Sequence, residues 1–261
     1  MSTILLPTPS GADDTAALQA AINANPANTV FEGDGKPYKV ASTLLLPAGT
    51  QFLTLRNARI TVLGDVGLLD VVAGAVATFL RLENLYVEAQ GHTTKGRKLI
   101  NYSRMAQARF SDVWTNGTLN KTIHFYANGN GGSASYYNKW EGCYMGNMYG
   151  GIWAEDGAPA MTANSNMITG CRIQPMTGNF GLYLGANSQQ FTVIGNQFES
   201  PGGSVYVDGQ GHSITSNRFE GVNTLVSGTA TGNTIMSNYR SGSSVNWGGS
   251  SSANNYHPYA A

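Results

Sequence analysis

The residues best suited to chemistry fall in four short runs: "TIHFYA" (122–127), "GIWAED" (151–156), "GLYLGA" (181–186) and "SVYVDG" (204–209). Aligned as strands with a side-chain period of two, they turn Ile123, Ile152, Leu182 and Val205 inward. His124, Trp153, Tyr183 and Tyr206 then form an outward ladder, with Tyr126, Glu155, Gly185 and Asp208 two residues further along. Rings beside carboxylates suit a sugar: the C–H faces of a pyranose rest on aromatics while acids bind hydroxyls or transfer protons. If these runs lie on successive coils, the backbones of Glu155 and Asp208 stand ~9–10 Å apart. Their side chains then span the ~6.5–9.5 Å used by inverting glycosidases. Asp156 is a third acid beside them. The same pattern also fits a ligand-free aromatic ladder or a subunit seam.

A second acid pair comes from two near-copies, "VIGNQFES" (193–200) and "ITSNRFEG" (214–221). Glu199 and Glu220 occupy the same place in each, so adjacent coils bring their backbones to ~4.8 Å. Close carboxylates raise one pKa and resemble an acid/base pair. At a turn they instead splay toward Arg172 and Arg218, one column over, and that reading is preferred.

These placements require a repeat, and one is present. Taking the Asn of "VIGNQF" as reference, the frame recurs at Ala58, Leu85, Val113, Cys143, Cys171, Asn196, Asn217 and Asn238, with spacings of 27, 28, 30, 28, 25, 21 and 21. Three residues earlier the chain is always apolar (Leu55, Leu82, Phe110, Trp140, Ile168, Val193, Ile214, Ile235). Two residues later it is inward again, until Arg240 breaks the column. The position before the reference is always Asn, Asp, Gly or Ser, which is turn chemistry. The position after it (Arg59, Tyr86, Trp114, Tyr144, Arg172, Gln197, Arg218, Tyr239) is polar or amphipathic and outward. A strand-like repeat of this length is a solenoid. The expected fold is all-β: a single-stranded right-handed parallel β-helix of about eight or more coils. Asn196, Asn217 and Asn238 are expected to stack inside it. Cys143 and Cys171 are either two stacked thiols, the preferred reading, or a disulfide between coils.

"SGADDTAALQAAINANP" supplies a short capping α-helix, with Asp13 or Asp14 as N-cap, an apolar face of Ala17, Leu18, Ala21 and Ile22, and Pro26 as stop. The expected division is an N-terminal segment at 1–35, the β-helix at 36–242 and an irregular tail at 243–261. Formal charge is zero and only 11% of residues are charged, which argues against nucleic-acid partners. No apolar run is long enough to cross a membrane, and the first basic residue, Lys36, comes too late for a secretory signal. No metal-ligand spacing appears, so no cofactor is expected. His92 and His257 read as loop residues, and Lys121 is marked out by no pattern.

"GADDTAALQAAINA" followed by "YKVASTLLLPAGTQF" resembles the opening of pectate-lyase-like right-handed β-helix proteins, above all bacteriophage tailspikes and capsule depolymerases. The opening match covers roughly residues 8–55 and the periodicity carries the likeness to about 240. The resemblance implies a homotrimer on a virion, made in the host cytoplasm without a signal peptide. It also implies a bacterial surface glycan (capsule, O-antigen or exopolysaccharide) as ligand, and other tail proteins as further partners. The chain departs from that pattern in lacking a separate head-binding domain and an obvious trimerisation domain. "GQGHSI" (209–214) resembles a polygalacturonase segment, but His212 is displaced by one residue. The expected function is binding and depolymerisation of a surface polysaccharide, hydrolysis ahead of β-elimination. His124, Tyr126, Trp153, Tyr183, Tyr206 and Arg172 would bind substrate; Glu155, Asp208, Asp156, Glu199 and Glu220 are the catalytic candidates. The rival is a non-catalytic trimeric adhesin or structural spike.

Overall fold

The computed structural model describes residues 1–128, 135–155 and 163–247. Over these residues the chain winds into a parallel β-solenoid with one short helix, α1 (Thr15–Ala24). Three faces carry the main strand segments, and a separate stack of two-residue strands from Ala77–Thr78 to Ser188–Gln189 runs beside them. On the first face 54–56, 81–83, 109–111 and 139–141 stack in register; on the second, 58–62, 85–89, 113–116 and 144–146 do so. The third face stacks 97–101, 122–127, 150–154, 180–184 and 204–207. The reference columns align as the repeat requires: Ala58 opposes Leu85, and Leu85 opposes Val113.

The corner between the first and second faces is made by one left-handed residue per coil. Asn57, Asn84, Asp112, Gly142, Gly170, Gly195, Ser216 and Ser237 all have φ between 48° and 67°. Asn, Asp and Gly tolerate this region best. That explains why this column is restricted to small polar residues. Strands such as Thr54–Val62 therefore bend at the corner without losing register.

Inside, the apolar columns from Leu55 to Ile235 and from Ile60 to Phe219 are buried. Phe198 and Phe219 stack at 5.0 Å with planes 6° apart. Beside them runs the Asn ladder. The Asn217 Oδ1 accepts the Asn196 N–H at 2.9 Å, and Asn217 Nδ2 donates to the Val193 carbonyl at 2.9 Å. Asn238 repeats both bonds one coil on, and Asn196 gives its oxygen to the Cys171 N–H. Each link satisfies a buried backbone group that would otherwise cost ~1–3 kcal/mol. Cys143 and Cys171 are buried free thiols.

A second ladder contains His212. Its Nδ1 accepts the Phe191 N–H at 3.1 Å, as Asn138 Oδ1 accepts the Ala108 N–H at 2.8 Å on a lower coil. Nδ1 must therefore be unprotonated, and Nε2 faces Ser188 Oγ at 3.2 Å. Burial lowers the imidazole pKa to about 3. The polygalacturonase-like spelling around His212 thus serves the core.

Helix α1 closes the N-terminal end, burying Leu18 and Ile22 with Ala21 packed against the core; Ala17 remains exposed. Asp14 occupies the N-cap position, but its carboxylate accepts the Ser10 and Lys39 N–H groups at 2.6 and 2.9 Å. The acid ties helix to first coil instead of capping the helix. Strand pairing begins before it, since Ser2–Leu5 pairs with Thr29–Glu32. At the other end Val245–Trp247 pairs with 224–226. Arg240 lies 4.5 Å over the Phe219 ring, covering the aromatic column with a side chain that does not extend it.

One expectation is corrected. His124 is not outward: it is fully buried, with Nδ1 2.5 Å from Thr115 Oγ1, and burial lowers its pKa to about 3. The register pairs Tyr126 with Trp153 and Phe125 with Ile152. The strand Thr122–Ala127 enters the face two residues early, so Phe125 takes the inward place assigned to Ile123. His92 lies in the loop between Ala89 and Arg97, as expected, and is buried there between the Val66 carbonyl and Thr122 Oγ1.

Candidate functional site

The third face carries the ladder of Tyr126, Trp153, Tyr183 and Tyr206, brought into one column by its register. Trp153 and Tyr183 stack with centroids 4.2 Å apart and planes 6° apart; Tyr183 and Tyr206 follow at 4.6 Å and 19°. Phe180 meets Trp153 and Tyr183 edge-on, and Tyr149 covers Trp153 at 5.6 Å. The rings form a satellite hydrophobic cluster outside the tube, with Tyr126 and Trp153 buried. Their flat faces are turned to one another, leaving mainly edges toward solvent. A sugar needs a ring face, and this ladder keeps its faces for itself.

Glu155 and Asp208 flank the ladder on coils separated by Gly185. Glu155 accepts the Tyr126 hydroxyl hydrogen bond, and Asp208 accepts those of Tyr206 (3.4 Å) and Thr229. Lys98 lies 3.6 Å over the Tyr126 ring; its desolvation lowers the ammonium pKa, against the pull of Glu155 and Asp70. Both acids are thus receptors for hydroxyl donors. Asp156 lies outside the described residues, as does His257.

Glu199 and Glu220 oppose each other in register, but each is bound to an arginine. Arg172 pairs with Glu199, which also accepts Gln174 Nε2 at 2.7 Å and Gln197 Nε2 at 2.6 Å; Arg218 pairs with Glu220. Arg172 is placed 5.9 Å over the Tyr144 ring.

A further concavity goes beyond the sites expected from the sequence. At the corner between the first and second faces a groove of about 880 Å³ is lined by Glu32, Asp34, Asn57, Arg59, Tyr86, Asp112, Trp114 and Tyr144. The register stacks Arg59, Tyr86, Trp114, Tyr144 and Arg172 on consecutive coils. Here the rings fan: Tyr86 and Trp114 are 6.2 Å apart at 41°, Trp114 and Tyr144 4.2 Å apart at 40°. Trp114 is 47% exposed. Along the corner Asn84 Nδ2 donates to Asn57 Oδ1 at 2.7 Å, and Asn57 Nδ2 to Glu32 Oε2 at 3.1 Å. Burial opposes ionisation of Glu32, yet hydrogen bonds from Asn57, the Asp34 N–H and Arg56 outweigh it and lower its pKa. The Asp112 carboxylate lies over Gly142, where a β-carbon would stand 2.7 Å from Oδ1. Glycine there provides the left-handed turn and the room. The signal was available: the turn column and the outward column each read clearly, and their juxtaposition at a bend makes the groove.

No protein-family model and no curated protein matches the chain. Among solved structures it is similar to "Geobacillus virus E2 - ORF18" with a TM-score of 0.59 and 15% identity, over 98% of this chain and 60% of that one. It is also similar to the PL6 family alginate lyase AlyGC, with a TM-score of 0.59 and 16% identity, over 92% of this chain and 40% of the lyase. The chain therefore spans less than two thirds of either. At such identities the likeness establishes the fold, and it agrees with the β-helix that the opening motif implied.

Proposed function

We propose that the chain binds a polysaccharide along the corner groove. One observation carries this: Trp114 is exposed between Tyr86 and Tyr144 in a groove of about 880 Å³ rimmed by carboxylates and amides. Fanned rings present faces to pyranose units, and Asn57, Asn84 and Asp112 offer partners for hydroxyls. The ladder runs along the solenoid axis, so an extended glycan would meet a new coil every ~4.8 Å. Similar folds come from a virus and from a polysaccharide lyase, which supports a virion component that recognises a bacterial surface glycan; the homotrimer and the tail-protein partners of this proposal rest on the resemblance of the opening motif alone. Affinity electrophoresis through gels containing bacterial surface polysaccharides tests the reading. Wild type should be retarded and Trp114→Ala should migrate freely; equal retardation of both sinks it.

Depolymerisation is a second reading, favoured by Glu155 and Asp208 standing two coils apart on one face beside the stacked ladder. Within the groove Asp34 and Asp112 are three coils apart, ~14 Å by strand spacing, too far for a hydrolytic pair. Hydrolysis would rest on the third face. Release of reducing ends by wild type, abolished in Glu155→Gln and in Asp208→Asn, is the expected result. No release from any polysaccharide that binds leaves the chain a binding protein.

A further inference from the structure

Five outward residues stack on consecutive coils, of which Arg59, Tyr86, Trp114 and Tyr144 line the groove and Arg172 follows one coil beyond Tyr144. The two arginines are placed on the tyrosines, Arg59 5.5 Å over Tyr86 and Arg172 5.9 Å over Tyr144. Trp114 lies between them, has the strongest cation-binding face of the three rings, and carries no lysine or arginine among the described residues. It is also exposed.

The acids divide in the same way. Glu32 is paired with Arg56, Asp34 with Lys36, Glu83 with Arg81 and Glu141 with Lys139. Asp112, two residues from Trp114 and exposed, has no ion pair among the described residues. Its carboxylate is held toward the groove by the corner conformation (φ 52°) and by the space that Gly142 leaves. The lining as a whole sets Glu32, Asp34 and Asp112 against Arg59. With Glu32 and Asp34 neutralised by Arg56 and Lys36, Asp112 is the lining carboxylate left without an ion pair among the described residues; it repels a polyanionic strand, whereas an aromatic face beside it matches an ammonium group.

We infer that the groove selects a glycan bearing a free, protonated amino sugar, whose ammonium sits between the Trp114 ring and the Asp112 carboxylate. This rests on the reading of the groove as a polysaccharide site. The amine would add an ion pair and a cation–π contact that its acetylated form lacks.

The test uses the full chain and three probes: a glucosamine oligosaccharide, its fully N-acetylated counterpart, and oligogalacturonate. Calorimetric titration should show the amine form binding about tenfold more tightly than the acetylated form, with oligogalacturonate weakest. Asp112→Asn keeps a residue at home in the left-handed region; it should bring the ratio of amine-probe to acetylated-probe affinity down to about one. Equal binding of amine and acetylated probes, or a preference that survives Asp112→Asn, overturns the inference and leaves polysaccharide binding standing. If none of the probes binds and no surface polysaccharide retards the protein, both fall.

Discussion

Two aromatic ladders run up this solenoid, and they differ in what the rings face. On the third face Trp153, Tyr183 and Tyr206 lie nearly parallel and closely stacked, with Phe180 against their edges. At the corner Tyr86, Trp114 and Tyr144 fan by about 40° into an open groove. A strand register places rings above one another in both cases. The bulges do the rest. The register shifts between Ile173 and Phe180, bringing an extra aromatic onto the third face and closing it. The corner carries single turn residues, and Trp114 stays half-exposed between the tilted rings of Tyr86 and Tyr144. Stacked aromatics in a sequence therefore announce a ladder, and the neighbouring insertions decide whether it stabilises or binds.

The sharpest break between the two is stability. Trp153→Ala should cost ~3 kcal/mol, as removal of a large buried ring does, and leave glycan retardation intact in the folded fraction. Denaturant titration measures the first and affinity electrophoresis the second. Loss of binding with unchanged stability would reverse the roles assigned to the ladders.

Acid should then separate the interior from the groove. His124 and His212 have folded pKa values of about 3 because burial disfavours their charged forms, against ~6.5 when unfolded. Between those values the unfolded chain binds more protons, so stability falls as pH drops from ~6.5 toward ~3, by ~1.4 kcal/mol per pH unit for each histidine. His212→Asn puts the ladder's usual residue in place, and a thermal melt series should show a shallower acid slope. An unchanged slope would mean that His212 titrates normally.

Trp114→Ala is expected to weaken glycan binding about tenfold while moving stability by no more than ~0.5 kcal/mol. The smallest effect belongs to Arg172→Gln. The Arg172–Glu199 pair is partly exposed, and such pairs contribute ~0–1 kcal/mol. A larger loss of stability would show that Glu199 depends on it inside the network with Gln174 and Gln197.

The fold was legible because its constraints repeat. Apolar columns, a turn column and an Asn column recur at one spacing, and each has a single geometric meaning in stacked coils. The site was less legible because it depends on what does not repeat. The sequence puts His124 outward because Thr122–Ala127 resembles its neighbours in composition while entering the face two residues early; the register with 150–154 and the contact with Thr115 reveal this. The burial of Trp153 comes from Tyr149 and Phe180, which lie in bulges that no column predicts. Conversely Tyr86, Trp114 and Tyr144 were recognised as outward, and Asp112 as a turn residue. What the sequence lacks is the angle at the corner that turns two columns into the walls of one groove.

The Asn ladder has a consequence for how such a chain changes over time. Asn217 serves the coil before it and is served in the same way by Asn238, each link spanning 21 residues. No bond in this series depends on how many coils precede or follow. Coil number is therefore a free parameter, open to duplication or deletion of one unit without repair elsewhere. A surface groove on such a scaffold behaves like a ruler that lineages can lengthen or shorten one rung at a time.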